Sequence, residues 1–303
     1  MRLKIAGVDV WNDVRVIELV HDSYAEGRAD RLFVRFADPK GLWPGWGLTV
    51  GTEISADGTG KMYVYACRAE NGVFTVRAYS APPDITERRS KSWAQVHLFQ
   101  LVTEAAARHS LTPDFSQASD RLYNYKAQEN ETDLGFLAAL CRTEGYALLI
   151  FDGRLVIYDE HRMEMIEPAE TVTIGEDGVF TIEDRRGAGY GSARVAAGSV
   201  SGVFFAPDPV SGRVLYPDSD RLYATSNAEA ARYARGLLRN ANKGLLAGSF
   251  RRKYAPQISA GSTVRLLIER APVYSGPVFI THARHDLIRN VSLIDFRKPL
   301  EGY

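Results

Sequence analysis

The sequence lacks an excess of either charge and has few cysteines. It contains 37 Lys and Arg residues and 37 Asp and Glu residues, so its formal net charge is zero. Because such a chain produces no large electrostatic field, we expect no specific nucleic-acid binding and no attraction to an anionic membrane. Cys67 and Cys141 cannot form a disulfide framework, and both lie in apolar patterns, which predicts buried free thiols in a reducing compartment.

The sequence also lacks a long apolar run. No segment reaches about 18 uninterrupted apolar residues. Residues 1–5 alternate charged and apolar side chains where a signal peptide would have an apolar core. We therefore expect no membrane insertion and synthesis in the cytoplasm. An apolar fraction of 45% and a length of 303 residues are typical of a globular chain with two domains, or with one domain and an insertion.

The N-terminal part of the chain carries a β pattern. Apolar and polar side chains alternate with a period of two in several short segments, as they do in strands with one buried face. These segments are residues 14–17, 32–36, 48–50, 62–65 and 74–78. Asp57-Gly58 and Asn71-Gly72 lie between them and tolerate the positive φ angles of tight hairpins. The pattern predicts an all-β barrel or sandwich.

The pattern then becomes helical. Ser92 and Gln95 have the spacing of a capping box, and apolar residues follow at helical intervals, which predicts a helix over residues 92–109. A second helix is predicted over residues 132–144, with Gly145 as its left-handed cap. A hairpin across an Asp-Gly turn follows, with its two strands at residues 146–151 and 155–158.

The β pattern returns in the C-terminal part of the chain. Strands are predicted at residues 171–174, 179–182, 200–205, 263–268, 277–282 and 291–296. One helix interrupts them, because Ser226 and Glu229 form a second capping box before a helical apolar pattern. We expect this helix to cover one edge or mouth of a second β unit. Strands within residues 161–190 could instead return to the first unit.

The sequence offers little for metal or cofactor binding. His282 and His285 are the only close pair of histidines, and residues three apart in a strand point to opposite faces. The glycine-rich segment 187–191 resembles a phosphate-binding loop, but residues 192–198 lack the helical pattern that such a loop requires. We therefore expect a turn between strands there, and we assign no metal ligand and no cofactor-binding residue.

Three acidic residues are the remaining candidates for catalysis. Glu129, Glu131 and Asp133 could supply the two carboxylates of a glycosidase. They also precede and enter the predicted helix at residues 132–144, where the helix dipole alone favours negative charge. We expect the second explanation to hold, and we assign no catalytic residue.

Two tryptophans stand in an irregular segment, residues 41–47, among glycines and a proline. Trp43 and Trp46 place a large apolar area in a loop, and such area is seldom left bare. Either the loop folds back over the first β unit, or it anchors a neighbouring subunit. Together with Trp11, these residues are the predicted contacts with a subunit or partner.

Several stretches resemble the late control gene D family of phage tail proteins, and they extend over most of the chain. The order and spacing of these stretches carry the resemblance, since each one is also ordinary cap, turn or strand chemistry. They are residues 10–16, 32–36, 82–83, 88–93, 125–137, 144–146, 152–153, 226–231, 260–264 and 276–282.

The resemblance implies a structural baseplate hub of a contractile phage tail or injection system. In such a hub three chains, each with two tail-tube-like β-barrels, form a pseudo-sixfold ring. The barrels would be residues 1–90 and 161–303, and a small α+β module would be residues 91–160. The implied partners of this homotrimer are the tail tube or tube-initiator protein, the central spike protein and a tape-measure protein. The site of action would be the baseplate of a virion or particle made in a bacterial cell.

Two other functions stay open at this stage. A cell-wall or carbohydrate-active hydrolase would use the acidic residues at 129–133. A β-rich ligand-binding module would use Trp43 and Trp46. The hub is the preferred interpretation, and it implies neither enzymatic activity nor a cofactor.

Overall fold

The computed structural model describes residues 2–116, 118–208, 211–218 and 222–303. Strands dominate the structure and helices are few, so the predicted mainly β fold class is confirmed. One sheet of 13 strands forms the body of the molecule, and three small sheets stand beside it.

The first seven strands form one half of the large sheet. They are β1 (Leu3–Ile5), β2 (Val8–Asp9), β3 (Val16–Tyr24), β4 (Arg31–Asp38), β5 (Glu53–Ala56), β6 (Met62–Glu70) and β7 (Gly72–Tyr79). Their order is β3-β4-β7-β6-β5-β1-β2. Alternate residues of β4, such as Leu32, Val34 and Phe36, point into one buried apolar cluster. We call β1–β7 and this core the first half.

Two local predictions for the first half are wrong. Residues 48–50 form no strand, because the Thr49 N–H donates to the Thr52 hydroxyl (3.2 Å) in a local turn that competes with strand pairing. Cys67 is exposed. Cys67 lies in β6, which pairs with β5 at Met62 and Tyr63. The residues of β6 that follow Val64 have no partner strand on that side among the described residues, so they form an open edge.

The middle of the chain forms the α+β module, which we define as the elements from β8 to α3. They are β8 (Arg88–His97), α1 (Leu98–Arg108), β9 (Thr112–Asp114), β10 (Leu122–Thr132), α2 (Asp133–Glu144), β11 (Tyr146–Phe151), β12 (Arg154–Asp159) and α3 (Glu160–Glu164). The predicted second helix and hairpin are confirmed. Gly145 caps α2 with a φ of 76°, and Asp152 and Gly153 both have positive φ, as a tight hairpin turn requires.

The predicted helix over residues 92–109 is wrong in its first third. Residues 88–97 are strand β8, paired with β10, and the capping box of Ser92 and Gln95 is absent. Gln95 adopts a φ of 50°, which kinks the strand, and both Trp93 and Val96 reach the core. Two buried residues three apart therefore imitate the spacing of a helix.

The described residues from 165 to 303 form nine strands and one long helix. They are β13 (Thr171–Ile174), β14 (Phe180–Asp184), β15 (Ser192–Ala197), β16 (Val200–Phe205), β17 (Val214–Leu215), α4 (Asn227–Asn242), β18 (Leu246–Lys253), β19 (Thr263–Ile268), β20 (Gly276–Asp286) and β21 (Val291–Arg297). The glycine-rich segment 187–191 connects β14 and β15, as predicted.

Six of these strands form the second half of the large sheet. Strand β20 pairs with both β19 and β21. Beyond β19 lies β13, and beyond β21 lie β18 and then β14. A second buried apolar cluster fills the interior. We call these six strands and their core the second half. The halves meet in the antiparallel ladder between β3 and β20. Over the described ranges, the path of paired strands does not close on itself.

The expected position of the third long helix is wrong. Helix α4 covers the small sheet β16-β15-β17 and lies against α2, and it does not cap the mouth of the second half. Two glycines allow α4 to lie close to β16 and to α2. A Cβ on Gly202 would lie 2.0 Å from the Ala231 nitrogen, and a Cβ on Gly236 would lie 2.2 Å from the Thr143 oxygen.

Candidate assembly interface

The tryptophan loop is tied to the first half through Asp38. The Asp38 carboxylate accepts hydrogen bonds from the N–H groups of Leu42 (2.7 Å) and Trp43 (3.3 Å), which start a short 3-10 helix at Trp43–Trp46. Trp43 is buried, with its ring 4.3 Å from Phe36 and 4.0 Å from Trp46, centroid to centroid. Trp43 therefore belongs to the core of the first half.

The outer side of the same loop is apolar and open. Trp46 is 49% exposed and Leu42 is 59% exposed, while Trp11 lies partly buried against the core of the first half. We call Leu42 and Trp46 the tryptophan patch. The three predicted contact residues therefore have different environments. Trp43 is part of the core, Trp11 packs partly against it, and Trp46 faces outward. The sequence reasoning missed Leu42, since an isolated leucine carries no signal of exposure.

Strand β13 offers a free edge of the large sheet. The carbonyl oxygens of Glu170 and Ile174 accept hydrogen bonds from the N–H groups of β19 and of the residue that follows it. In a parallel ladder every second residue bonds to one neighbour, so the backbone groups of Thr171 and Thr173 point away from β19. An unpaired row of this kind is a template for another strand.

The three acidic candidates do not share one site: Glu129 and Glu131 line one small cavity with Lys126, whereas Asp133 is not among the residues that line it. Asp133 is buried, and it accepts hydrogen bonds from Arg108 Nε (2.8 Å), His109 Nε2 (3.1 Å) and Gln128 Nε2 (3.0 Å). Burial opposes the charge of Asp133, but the hydrogen bonds from Arg108 and Gln128, together with the charges of Arg108 and Arg89, outweigh it and lower the pKa. Glu129 accepts a hydrogen bond from the Tyr223 hydroxyl (3.0 Å). Asp133 joins α1, β10 and α2, and it does not face a cleft.

The two close histidines lie on opposite faces of β20, as predicted. His282 is on the outer face between Asp22 Oδ1 (3.1 Å) and Asp295 Oδ2 (2.8 Å), whereas His285 is buried beneath Tyr254. Within the described ranges, no three His, Cys, Asp or Glu side chains are grouped so that they could hold a metal ion.

A cluster of buried charges joins the α+β module to the second half. Glu160 and Glu164 of α3 face Arg239 of α4 and Arg297 of β21, and all four side chains are at most 3% exposed. Glu164 contacts Arg297 and lies 2.7 Å from the Arg239 guanidinium, and Arg297 donates to Glu160 (3.3 Å). Together with Lys243, which donates to Glu160 (2.9 Å), we call these residues the ion cluster.

The charges of the ion cluster depend on one another. Burial acts to raise the pKa of Glu160, but the charges of Arg297, Lys243 and Arg239 outweigh it, and the pKa lies below its ordinary value. Lys243 also contacts Glu26, which lies two residues beyond the end of β3. The cluster was not recognised from sequence. Its signal is the spacing of four residues between its two acids on α3, and between its two bases on α4, which places each pair on one helix face.

The fold is similar to those of solved phage and prophage tail proteins. A tail protein from Neisseria meningitidis MC58 matches with a TM-score of 0.76 and 11% identity, over 98% of this chain and 95% of that chain. A 43 kDa tail protein of prophage MuSo2 from Shewanella oneidensis matches with a TM-score of 0.69 and 12% identity, over 98% and 97%.

A component of the type VI secretion system of E. coli, described as structurally similar to T4 bacteriophage tail proteins, also matches. Its TM-score is 0.61 at 13% identity, over 100% of this chain and 78% of that chain. No family model and no curated protein sequence matches the chain. None of the helices within the described residues has the length and apolarity needed to cross a membrane. The chain therefore has a tail-protein fold.

Replacing Arg239 by Met tests the ion cluster. The change leaves Glu164 and Glu160 buried with one cation fewer, so we expect the free energy of unfolding to fall by roughly 3–5 kcal/mol in urea denaturation. Arg68→Met is the matched control, because Arg68 is 69% exposed and pairs only with Glu70 among the ion pairs described. Its loss should cost about 0–1 kcal/mol. Equal stability of the two variants would contradict a structural role for the cluster.

Proposed function

We propose that this chain is a structural baseplate hub, related to the late control gene D family, that acts as a homotrimer and not as an enzyme. The observation that carries the proposal is the presence of two halves of the large sheet, each with its own buried core, in a chain with a tail-protein fold. Three chains with two such units each would supply six similar walls to one ring, which is the number needed to match a sixfold tube.

The proposed partners are those that the resemblance to the late control gene D family implies. One side of the ring would contact the tail tube or tube-initiator protein, and the other side would carry the central spike, with a tape-measure protein inside. The place of action would be the baseplate of a virion or related particle. The surfaces that support these contacts are the tryptophan patch and the outer edge of β13. The first is exposed apolar area, and the second is a strand edge that has no partner among the described strands.

The alternative functions have weaker support. A hydrolase would need two free carboxylates across a common cleft. Glu129 and Glu131 line one small cavity, but Glu129 accepts a hydrogen bond from the Tyr223 hydroxyl, and Asp133 is enclosed by its own hydrogen bonds. A ligand-binding loop would need open aromatic faces, whereas Trp43 is covered by its neighbours. A subunit interface needs an exposed apolar surface or an open strand edge, and the tryptophan patch and the outer edge of β13 supply these.

The oligomeric state tests the proposal directly. Light scattering on the full chain over a concentration series should give three times the 33.6 kDa mass of one chain. Electron microscopy of the same sample should show rings with six similar wall units. A protein that stays monomeric at high concentration, alone and with a tube protein present, would contradict the hub.

Trp46→Glu tests the tryptophan patch. A charge at the centre of a subunit contact should weaken trimer formation by about 2 kcal/mol or more, since tryptophans are among the strongest interface contacts. Phe151→Glu is the control, because Phe151 is a similarly exposed aromatic residue at a hairpin tip of the α+β module. The patch is not an interface if both variants form trimers as the unmodified chain does.

Thr173→Pro tests the edge of β13. Proline removes one outward N–H and leaves the bonds to β19 intact, so the fold should persist while strand pairing with a neighbouring chain is lost. We expect a monomer by light scattering and an unchanged circular dichroism spectrum. Thr173→Val is the control, because it keeps the N–H group, and it should remain trimeric. A trimeric proline variant would exclude this edge from the interface.

A further inference from the structure

The ladder between β3 and β20 places two histidines directly opposite each other. His21 of β3 pairs with His285 of β20, and their ring centroids are 6.4 Å apart. Both residues point inward and are buried, with exposures of 6% and 4%. Among the strands that the structure describes, this ladder is the one that joins the two halves. The joint therefore has two titratable rings in its interior.

The hydrogen bonds of His285 fit a neutral ring. Its Nε2 lies 3.1 Å from the Ile258 carbonyl oxygen, which can only accept, so Nε2 carries the proton. Its Nδ1 lies 2.8 Å from the Ser292 hydroxyl, which already accepts from the Ala255 N–H (3.0 Å) and donates its own proton to the ring. Burial lowers the pKa of His285, and the charge of His282 adds to this effect.

His21 has no counter-charge in contact. Its Nε2 has no hydrogen-bond partner within the described residues, and the Asp30 carboxylate is 3.9 Å away. Burial, followed by the proximity of His285, lowers the pKa of His21 to about 4. Burial and the charge of Asp22 raise the pKa of Asp30 to about 7. In mildly acidic solution Asp30 is therefore uncharged and cannot stabilise a protonated His21.

The outer face of the same ladder carries charges of both signs. Burial opposes the charge of His282, but hydrogen bonds to Asp22 and Asp295 outweigh it and raise the pKa to about 9. His282 and Arg31 in turn lower the pKa of Asp22 to about 2. The other ionisable groups that face the joint from neighbouring segments are Arg284, Asp286, Asp57 and Tyr254.

We propose that the β3–β20 ladder is an acid-sensitive joint, which opens between the two halves when its inward histidines take up protons. When the ladder opens, His21 and His285 take up protons, whereas Asp30, whose raised pKa lets the closed ladder hold a proton, releases one if it becomes hydrated as well. The two histidines outnumber this carboxyl group, so the open ladder binds more protons, and the stability of the closed ladder is present above pH 6.5 and declines as the pH falls toward 4. In that window Asp22 and His282 keep their charges, and the outer face is unchanged. This inference does not depend on the proposed hub function.

Backbone hydrogen exchange on the full chain tests the joint. Amides of residues 20–24 and 282–286 should lose protection on going from about pH 7.5 to about pH 4.5, after correction for the intrinsic exchange rate. With a pKa of 6.5 in the open state and about 4 in the closed state, His21 alone gives a rise in opening of roughly 70-fold over this interval, and the release of a proton from Asp30 reduces this rise. Amides of the β4–β7 ladder are the internal reference and should change little.

Two variants separate the faces of the ladder. His21→Leu keeps the inward side apolar, and it should remove most of the rise in opening at acidic pH. His282→Gln is the matched control on the outer face, and it should increase opening already at neutral pH while the acid-induced rise persists. An unchanged rise in His21→Leu, loss of the rise in His282→Gln, or a parallel loss of protection in the reference ladder would each overturn the proposal.

A measurement on the unmodified chain covers the case in which His21→Leu does not fold. Nitrogen chemical shifts of the imidazole rings report protonation directly. Both inward rings should be neutral at pH 7 and should take up protons over the same pH range in which the ladder loses protection. A positively charged His21 ring at pH 7 would overturn the joint.

Discussion

The register between β3 and β20 is the constraint on which the rest of the large sheet depends. The ladder runs from the pair His282 and Tyr24 to the pair Asp286 and Val20, and it fixes one half against the other. Because side chains alternate between the two faces of a strand, a slip of one residue would turn Asp22 away from His282 and Arg284 and would move the inward histidines to the opposite face. The register thus decides which groups are neutral and buried and which are charged and paired.

The ion cluster supplies the second attachment between parts of the fold. Its residues come from α3, α4 and β21, so one set of charges positions the α+β module, the helix of the small sheet and the second half together. Removing these charges from water is costly, and the cost is offset only when every partner is in place. Such a cluster favours a single arrangement of the three parts over others with similar apolar contacts.

Much of the β pattern could be predicted from sequence, because strands with one buried face show a period of two. The hairpin at Asp152-Gly153 and helix α2 were also predictable, since their turn and cap residues act locally. Strand β8 was not, because the positive φ at Gln95 gives buried residues the spacing of a helix. The partners of α4 and the ion cluster depend on contacts between distant segments, which local patterns do not contain. Trp46 was predictable as a candidate contact, but the opposite roles of Trp43 and Trp46 were not.

Strand β20 has a mechanical consequence for the molecule. Along its length it pairs with β19, β21 and β3, so it is the element through which tension passes from one half to the other. A pull along the strands loads all hydrogen bonds of an antiparallel ladder together, whereas a pull across them separates the bonds one after another. The connection between the halves is therefore stiff in one direction and weak in the perpendicular one.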